Sequence, residues 1–267
     1  MRLILAHRHD VAARELAARW GGEALLLTPA DLHDERLLLT VNGRGEARAE
    51  LPSRPSVTSV LSRLAGVGPA DLDHVDPQDL GYAAAELDAF LRAWLGAWPG
   101  PVVNRPTTTC LNGPGWRPEQ WILAAAAAGL PVRPVRRLVP SCGDLTPGPP
   151  GGGGPPGGPI NGSPAGEGGP ARAGPINGSP AGGGLADFGA GPGGDMVRVS
   201  VVGDRWFGAV LDEIGRTLCT LARASGCVLL EAMLDPAGTV LHAGAWPDVS
   251  TPDVAAALAS ILDRRPG

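Results

Sequence analysis

The sequence predicts an α/β protein in two folded parts. These are an open, mostly parallel α/β domain over residues 1–140 and a hairpin-bearing α+β part over residues 196–267, with a disordered Gly/Pro-rich segment over residues 141–195 between them. Three observations predict it. Short apolar runs alternate with helix-length amphipathic stretches through the first 140 residues, the pattern of βαβ units feeding a parallel sheet. In "VRVSVVGDRWF" (residues 197–207), Val197, Val199 and Val201 alternate with Arg198, Ser200 and Val202 before a Gly203-Asp204 turn, which is a β-hairpin. Between these parts, more than half of residues 143–194 are Gly or Pro, leaving almost nothing apolar to bury.

Residues 2–6 read as the first strand, closing on "HRHD". A helix follows, with Asp10 as N-cap and Val11, Leu16 and Trp20 near helical spacing. "EALLLTP" (23–29) is the next strand, and "RLLLTVNGRGEARAEL" (36–51) a hairpin turning at Asn42-Gly43. "SVTSVLSRL" (56–64) suits a short helix. Residues 79–100 form a long helix with apolar Tyr82, Leu87, Phe90, Leu91 and Trp94, stopped by Pro99-Gly100. "PVVNRP" (101–106) is a strand, "PEQWILAAAAAGL" (118–130) a helix with Gly129 at its C-cap, and "PVRPVRRLV" (131–139) another strand. Beyond the hairpin, residues 212–226 form an amphipathic helix. Residues 227–234 and 239–244 are strands joined at "DPAG", and residues 251–265 are a helix with Thr251 as N-cap and Pro252 at N1.

Composition removes several function classes. A formal charge of −5 gives no basic face for nucleic acid or an anionic membrane. All 22 basic residues are arginine, so chemistry that needs a lysine, such as a Schiff base or the phosphate-contacting lysine of a P-loop, is excluded for this chain alone. Cys110, Cys142, Cys219 and Cys227 form no C-x-x-C pair and no zinc spacing, and read as reduced buried thiols. The opening apolar run is too short for a signal peptide and no segment is long enough to span a bilayer, so a cytoplasmic protein is expected. Trp94, Trp98, Trp116 and Trp121 gather around one helix-loop-helix, as core or as a partner-binding groove.

The order of elements resembles the ATP-grasp superfamily, and within it the RimK-type (α-L-glutamate ligase-like) carboxylate–amine ligases. Asn104, Arg105 and Pro106, followed by a short loop, a helix and Gly129-Leu130-Pro131, look like the family's entry into its central domain. "VRVSVVGDRWFGAV" looks like its hairpin, and "LARASGCVLLEAMLDPAGTVLHAGAWPD" like its closing helix–strand–turn–strand. The resemblance implies ATP, magnesium held by carboxylates, and an acyl-phosphate attacked by an amine. It places Glu231 where the family has its first metal-binding acid and matches Arg198 to a family arginine, although Asp195 lies one residue further from Arg198 than the pattern has it. The family's later "glutamate–x–asparagine–x–x–proline" reads His242, Ala243, Gly244 and Pro247 here, with His242 able to take a softer metal. The nonamer "GPINGSPAG" occurs at residues 158–166 and again at 174–182, in the interval where the family carries its nucleotide-holding lysines and flap. These departures imply ligation that is impaired.

Each candidate residue keeps an alternative. His7 and His9 stand at the carboxyl end of the first strand, where open α/β sheets gather ligands, or are exposed turn histidines. Glu231 holds a cation or faces solvent from a half-buried strand; His242 is a ligand or a satisfied strand histidine. Arg198 and Arg205 meet phosphate or carboxylate, or line a wet hairpin face. Asn104 and Arg105, before the small-donor loop "NRPTTTCLNGPG", contact an anion only weakly by pattern, since a phosphate-loop spacing is missing. Two functions follow: an ATP-dependent carboxylate–amine ligase ancestry acting on a peptide, or a non-catalytic binding or scaffold protein with a peptide or protein partner.

Overall fold

The computed structural model describes residues 1–135 and 196–264. The Gly/Pro-rich segment, Cys142 and residues 136–139 of the strand read from residues 131–139 lie outside them. Of that strand's remainder, Val132 makes a single parallel bridge to Val240.

Strand β1 (Arg2–Ala6) is buried along its whole length, and it becomes an inner strand of a four-stranded parallel sheet. The sheet runs β2 (Ala24–Leu27), β1, β5 (Ser59–Arg63), β6 (Val102–Val103), with Leu5 opposite Leu27 on one side and Ser62 on the other. Side chains alternate across it, as strand geometry requires. Leu3, Leu5, Val60 and Val102 enter one core with helix α2 (Leu80–Gly96) and its Leu91, Trp94 and Leu95. Ile4, Ala6, Leu61 and Val103 enter the opposite core, with α1 (Val11–Trp20) and α5 (Pro252–Leu262). Burial on both faces is what makes a parallel strand read as a continuous apolar run.

Residues 56–64 correct the sequence reading: they carry strand β5, not a helix. Ser59 and Ser62 are fully buried, and their polarity had masked a strand whose Val60 and Leu61 point into the two cores. The long helix ends at Gly96, and Tyr82, assigned to its apolar face, is 72% exposed. Beyond it Gly100 lies so close to β5 that a Cβ there would stand 2.0 Å from the Thr58 carbonyl oxygen. The hairpin β3 (Leu38–Val41) and β4 (Ala47–Glu50) forms as read, but its loop is longer than two residues. Asn42 Oδ1 accepts from the N–H groups of Arg44 (2.9 Å) and Glu46 (3.0 Å), and the positive φ falls on Gly45.

After helix α3 (Pro118–Ala127), a second four-stranded sheet is antiparallel in the order β10 (Val240–Gly244), β9 (Leu229–Leu234), β7 (Val197–Val202), β8 (Arg205–Phe207). The two-residue Gly203-Asp204 turn forms as predicted, with Val202 opposite Arg205 and Gly203 at φ 65°. One face of this sheet packs on α3 and on α4 (Asp212–Ala224) through Val199, Val201, Leu230, Ala232 and Leu218. Val202 and Leu229 turn the other way and join the core of α1, α5, Ile4 and Leu61, so the parallel and antiparallel sheets share one hydrophobic cluster. All described residues but Val135 belong to one compact unit.

The four tryptophans divide into two core pairs: Trp94 with Trp98 (ring centroids 4.7 Å apart) and Trp116 with Trp121 (4.8 Å). Cys110, Cys219 and Cys227 are buried and free. Among the described residues no helix is long and apolar enough to cross a membrane.

Candidate functional site

Strand register brings together three of the residues singled out in the sequence. Arg198 is opposite Met233, which is opposite His242; Ser200 is opposite Glu231, which is opposite Gly244. Directly opposed residues project to the same side of an antiparallel sheet. Arg198, Met233, His242, Ser200, Glu231 and Gly244 therefore share one face, which continues into the buried pair Val202 and Leu229. Along that face the environment grades from core to solvent, so that Glu231 has a side chain only 12% exposed while Arg198 is 51% exposed.

Glu231 is the centre of this face. Arg198 Nη1 stands 3.5 Å from Glu231 Oε2, an ion pair too long for a good hydrogen bond, and Oε2 is buried without a hydrogen-bond partner. Burial pushes the carboxyl above its ordinary range. Arg198, the Asp248 main-chain N–H and Arg63 oppose that push, while the Asp248 carboxylate adds to it. A buried carboxylate oxygen left without a partner is costly, and a cation or a proton removes the cost.

The imidazole of His242 leans along its strand: Nε2 lies 3.4 Å from where a Cβ on Gly244 would stand. Gly244 is the register partner of Glu231, so His242 and Glu231 are diagonal neighbours on this face. Burial holds the His242 pKa below its usual value, which favours the neutral, ligating form. The face offers one carboxylate oxygen and one imidazole on neighbouring strands, and a divalent cation held there would take most of its ligands from water or phosphate oxygens. Among the described residues no group of three or more His, Cys, Asp or Glu side chains is arranged to hold a metal ion.

Two residues missed in the sequence support Glu231, Arg63 from the parallel sheet and Asp248 from the loop after β10. Arg63, at the carboxyl end of β5, is 4% exposed. Its Nε and Nη2 donate to the Asp10 carboxylate (2.6 and 3.3 Å) and its Nη1 to the Pro247 carbonyl (3.0 Å). Asp10 also accepts from Ala13 N–H (2.9 Å) as the cap of α1. Arg63 thus fixes the loop after β10, whose next residue, Asp248, gives its N–H to Glu231. Burial raises the Asp248 pKa, but hydrogen bonds from Ser250 N–H (2.9 Å) and Oγ (2.7 Å), with the charges of Arg198 and Arg63, outweigh it and leave the net shift downward. The signal for Arg63 was available as an arginine in an apolar run, and it was lost once that run was read as a helix. Asp248 carried no pattern at all.

The remaining candidates lie elsewhere. Asn104 is fully buried. Its Oδ1 accepts from Val228 and Leu229 N–H (2.8 Å each) and its Nδ2 donates to Leu229 O (2.8 Å), tying the end of β6 to the start of β9. Asn112 from the same loop donates to Ala245 O (2.9 Å) and accepts from Asn104 N–H (3.3 Å). Arg105 reaches the carbonyls of Gly96 (3.4 Å) and Gly100 (3.5 Å), near the end of α2. His7 Nδ1 pairs with Asp71 (2.9 Å), and His9 Nε2 accepts from Arg8 (3.1 Å). Arg205 lies over the Phe207 ring, 5.0 Å from its centroid.

Comparison with solved structures fits this architecture. The ATP-grasp ligase PsnB complexed with a minimal precursor superposes with a TM-score of 0.56 at 14% identity, over 98% of this chain and 97% of that one. The same ligase complexed with a phosphomimetic variant of the minimal precursor, Mg and ADP gives 0.51 at 15% identity, over 97% and 98%. Macrocyclase MdnC bound with the precursor peptide MdnA from Microcystis aeruginosa gives 0.56 at 12%, over 98% and 99%. A Chryseobacterium gregarium RiPP-associated ATP-grasp ligase in complex with ADP and a leader and core peptide gives 0.53 at 11%, over 98% and 96%. No protein-family model matches the chain, and no curated protein sequence matches it significantly. At these identities the likeness shows the fold, which is that of the ATP-grasp ligases.

Proposed function

We propose that this chain is a RimK-like ATP-grasp protein that holds an adenine nucleotide and a divalent cation on the Arg198–Glu231–His242 face, acts on a peptide partner, and is impaired in carboxylate–amine ligation. The observation that carries the binding reading is the strand register, which sets a guanidinium, a carboxylate oxygen without a hydrogen bond and an imidazole on one sheet face. Nucleotide and cation, when bound, supply phosphoryl activation of a carboxylate. Arg198 is placed to meet phosphate, Glu231 and His242 to hold the cation, and Arg63 to keep the Asp248 N–H against Glu231. The peptide partner is suggested by the precursor peptides bound to the neighbouring ligases. In this reading residues 1–140 form the leading domain, residues 196–267 the cation-bearing part, and residues 141–195 stand between them. Asn104 and Arg105 serve the nucleotide indirectly, Asn104 by tying the end of β6 to the start of β9 and Arg105 by holding the carbonyls of Gly96 and Gly100. We place the protein in the cytoplasm, where reduced thiols are the rule.

The observation favouring impairment, and with it a second reading as a non-catalytic scaffold for a peptide or protein, is the absence of any lysine to hold the phosphates. Calorimetry on the full chain with magnesium and ATP tests the proposal. Saturable heat is expected, lost in Arg198→Ala, with no ADP release on adding peptides that carry carboxylates and amines. No heat and no thermal shift at millimolar nucleotide sinks the nucleotide reading and leaves the scaffold; steady ADP release sinks the impairment.

A further inference from the structure

We infer that an apolar pocket on the α2 side of the parallel sheet docks a basic segment of the peptide partner through one apolar side chain. The inference rests on the peptide-partner reading above and on neither its nucleotide nor its cation. The 3₁₀ turn Asp31–Asp34, the loop before α2 and α2 itself line a cavity of about 220 Å³. Its wall is Leu32, Leu37, Leu72, Val75, Ala83 and Leu87, with room for one branched or aromatic side chain. These six belong to, or pack on, the core that α2 forms with Leu3 and Leu5, whereas the face bearing Glu231 continues into the opposite core, with α1 and α5. The lip of the pocket is polar. The imidazoles of His33 and His74 stack there with centroids 4.7 Å apart, and His33 Nε2 stands 3.1 Å from Asp34 Oδ1. An open apolar wall inside a polar rim is the form taken by a docking site for an anchoring side chain.

Charge selects the occupant. Residues 29–37 and 72–87, which supply the whole lining, carry seven acids against one arginine, an excess greater than the −5 of the entire chain. Arg54 and Arg8 come from outside these segments to pair with Glu35 and Asp73. Asp34 has a side chain 80% exposed, and Asp79 and Glu86 are exposed and make no ion pair among the described residues. Asp79 lies four residues before Ala83 and Glu86 three after it, so both neighbour the pocket wall on the surface of α2. A second copy of the chain would set this acidic rim against itself, and a nucleic acid or an anionic membrane would be repelled. A cationic peptide is the partner that the surface complements.

The experiment follows fluorescence anisotropy of a labelled short peptide, one central leucine between pairs of arginines with serine elsewhere, on the full-length chain without nucleotide. Saturable binding is expected. Exchanging the peptide's leucine for serine, or filling the pocket with Ala83→Phe, should each weaken it about tenfold or more. The combined variant Asp34→Asn, Asp79→Asn and Glu86→Gln should weaken it about fivefold and reduce its fall with added salt. A peptide with glutamates in place of the arginines should not bind. Affinity that survives both the loss of leucine and Ala83→Phe overturns the inference, as charge alone would then hold the peptide. A dimer in sedimentation velocity that Ala83→Phe breaks assigns the pocket to a second copy and also overturns it. Binding of the glutamate peptide alone overturns the basic occupant while leaving a peptide partner standing. Binding by none of the peptides overturns the inference and withdraws support from the peptide-partner reading as well. If Ala83→Phe does not fold, the leucine dependence and the charge variant decide.

Discussion

Replacing Arg63 by methionine tests the idea that the parallel sheet braces the candidate site. The side chains of Arg63 and Asp10 are 5% and 13% exposed, and the guanidinium spans Asp10 and the Pro247 carbonyl. Methionine keeps much of the aliphatic volume but strands the Asp10 carboxylate and the carbonyl. Breaking a buried pair by removing one partner costs about 3–5 kcal/mol. Asp10 retains the Ala13 N–H and some solvent, so the low end, about 3 kcal/mol, is the expected loss. For a folded part of this size that corresponds to a fall in Tm of about 6–12 °C. Urea denaturation with two independent probes measures the loss and checks two-state behaviour. Asp10→Asn still caps α1, because asparagine is as good a cap as aspartate, so the double variant isolates the ion pair. A cycle over Asp10→Asn, Arg63→Met and both together should give a coupling energy of about 2–3 kcal/mol, because the second removal no longer leaves a charge alone. A loss below about 1 kcal/mol for Arg63→Met, or strictly additive variants, refutes the brace.

Two further perturbations read the frame around the site. Burial pushes the Cys227 thiol up to about 11. Between the ordinary thiol pKa and that value the unfolded chain gives up a proton that the folded chain keeps. Stability should therefore fall as pH rises from about 9 to about 11, by up to about 1.4 kcal/mol per pH unit, and Cys227→Ala should flatten that decline in urea titrations. A native curve that is already flat across the window contradicts the thiol's assignment. Asn104→Ala leaves two buried N–H donors and one carbonyl without their partner, so it should cost about 3 kcal/mol or more in urea denaturation; a cost under about 1 kcal/mol would mean that water replaces the side chain.

What could be read from the sequence follows from where periodicity survives. The hairpin of β7 and β8 was legible because valine alternates on both sides of a Gly-Asp turn, and that alternation alone placed Arg198 on a definite face. Glu231 and His242 lie on strands that alternate less clearly, and only the register shows that His242 is diagonal to Glu231 across Gly244. β5 was illegible for the opposite reason. Two serines and an arginine are buried in it; the arginine depends on Asp10 and the Pro247 carbonyl, which are distant in the chain, and the serine hydroxyls are buried without a hydrogen-bond partner among the described residues, so neither follows from local sequence. Asn104 drew notice as part of a motif. Its hydrogen bonds to Val228 and Leu229 cross more than a hundred residues of sequence, and no local pattern encodes them.

The charges at the junction of the two sheets make the proposed site self-consistent. Asp10, Glu231 and Asp248 set three carboxylates against the two guanidiniums of Arg63 and Arg198, leaving a net charge of −1 when all are ionised. Asp10 is matched by Arg63, and the remaining guanidinium of Arg198 faces both Glu231 and Asp248, so the surplus is shared by these two carboxylates, of which Glu231 has an oxygen without a hydrogen bond. A divalent cation bound there reverses the local sign to +1 and repels Arg198, whose exposed side chain is free to swing toward solvent. The face then presents a metal ion and a released guanidinium, both cationic, to an incoming phosphate. Cation first, anion second is the order this electrostatics imposes, and in Arg198→Ala the cation alone should bind Glu231 at least as tightly as in the native chain while the nucleotide binds more weakly. Tighter nucleotide binding in that variant would mean Arg198 blocks the face instead of serving it.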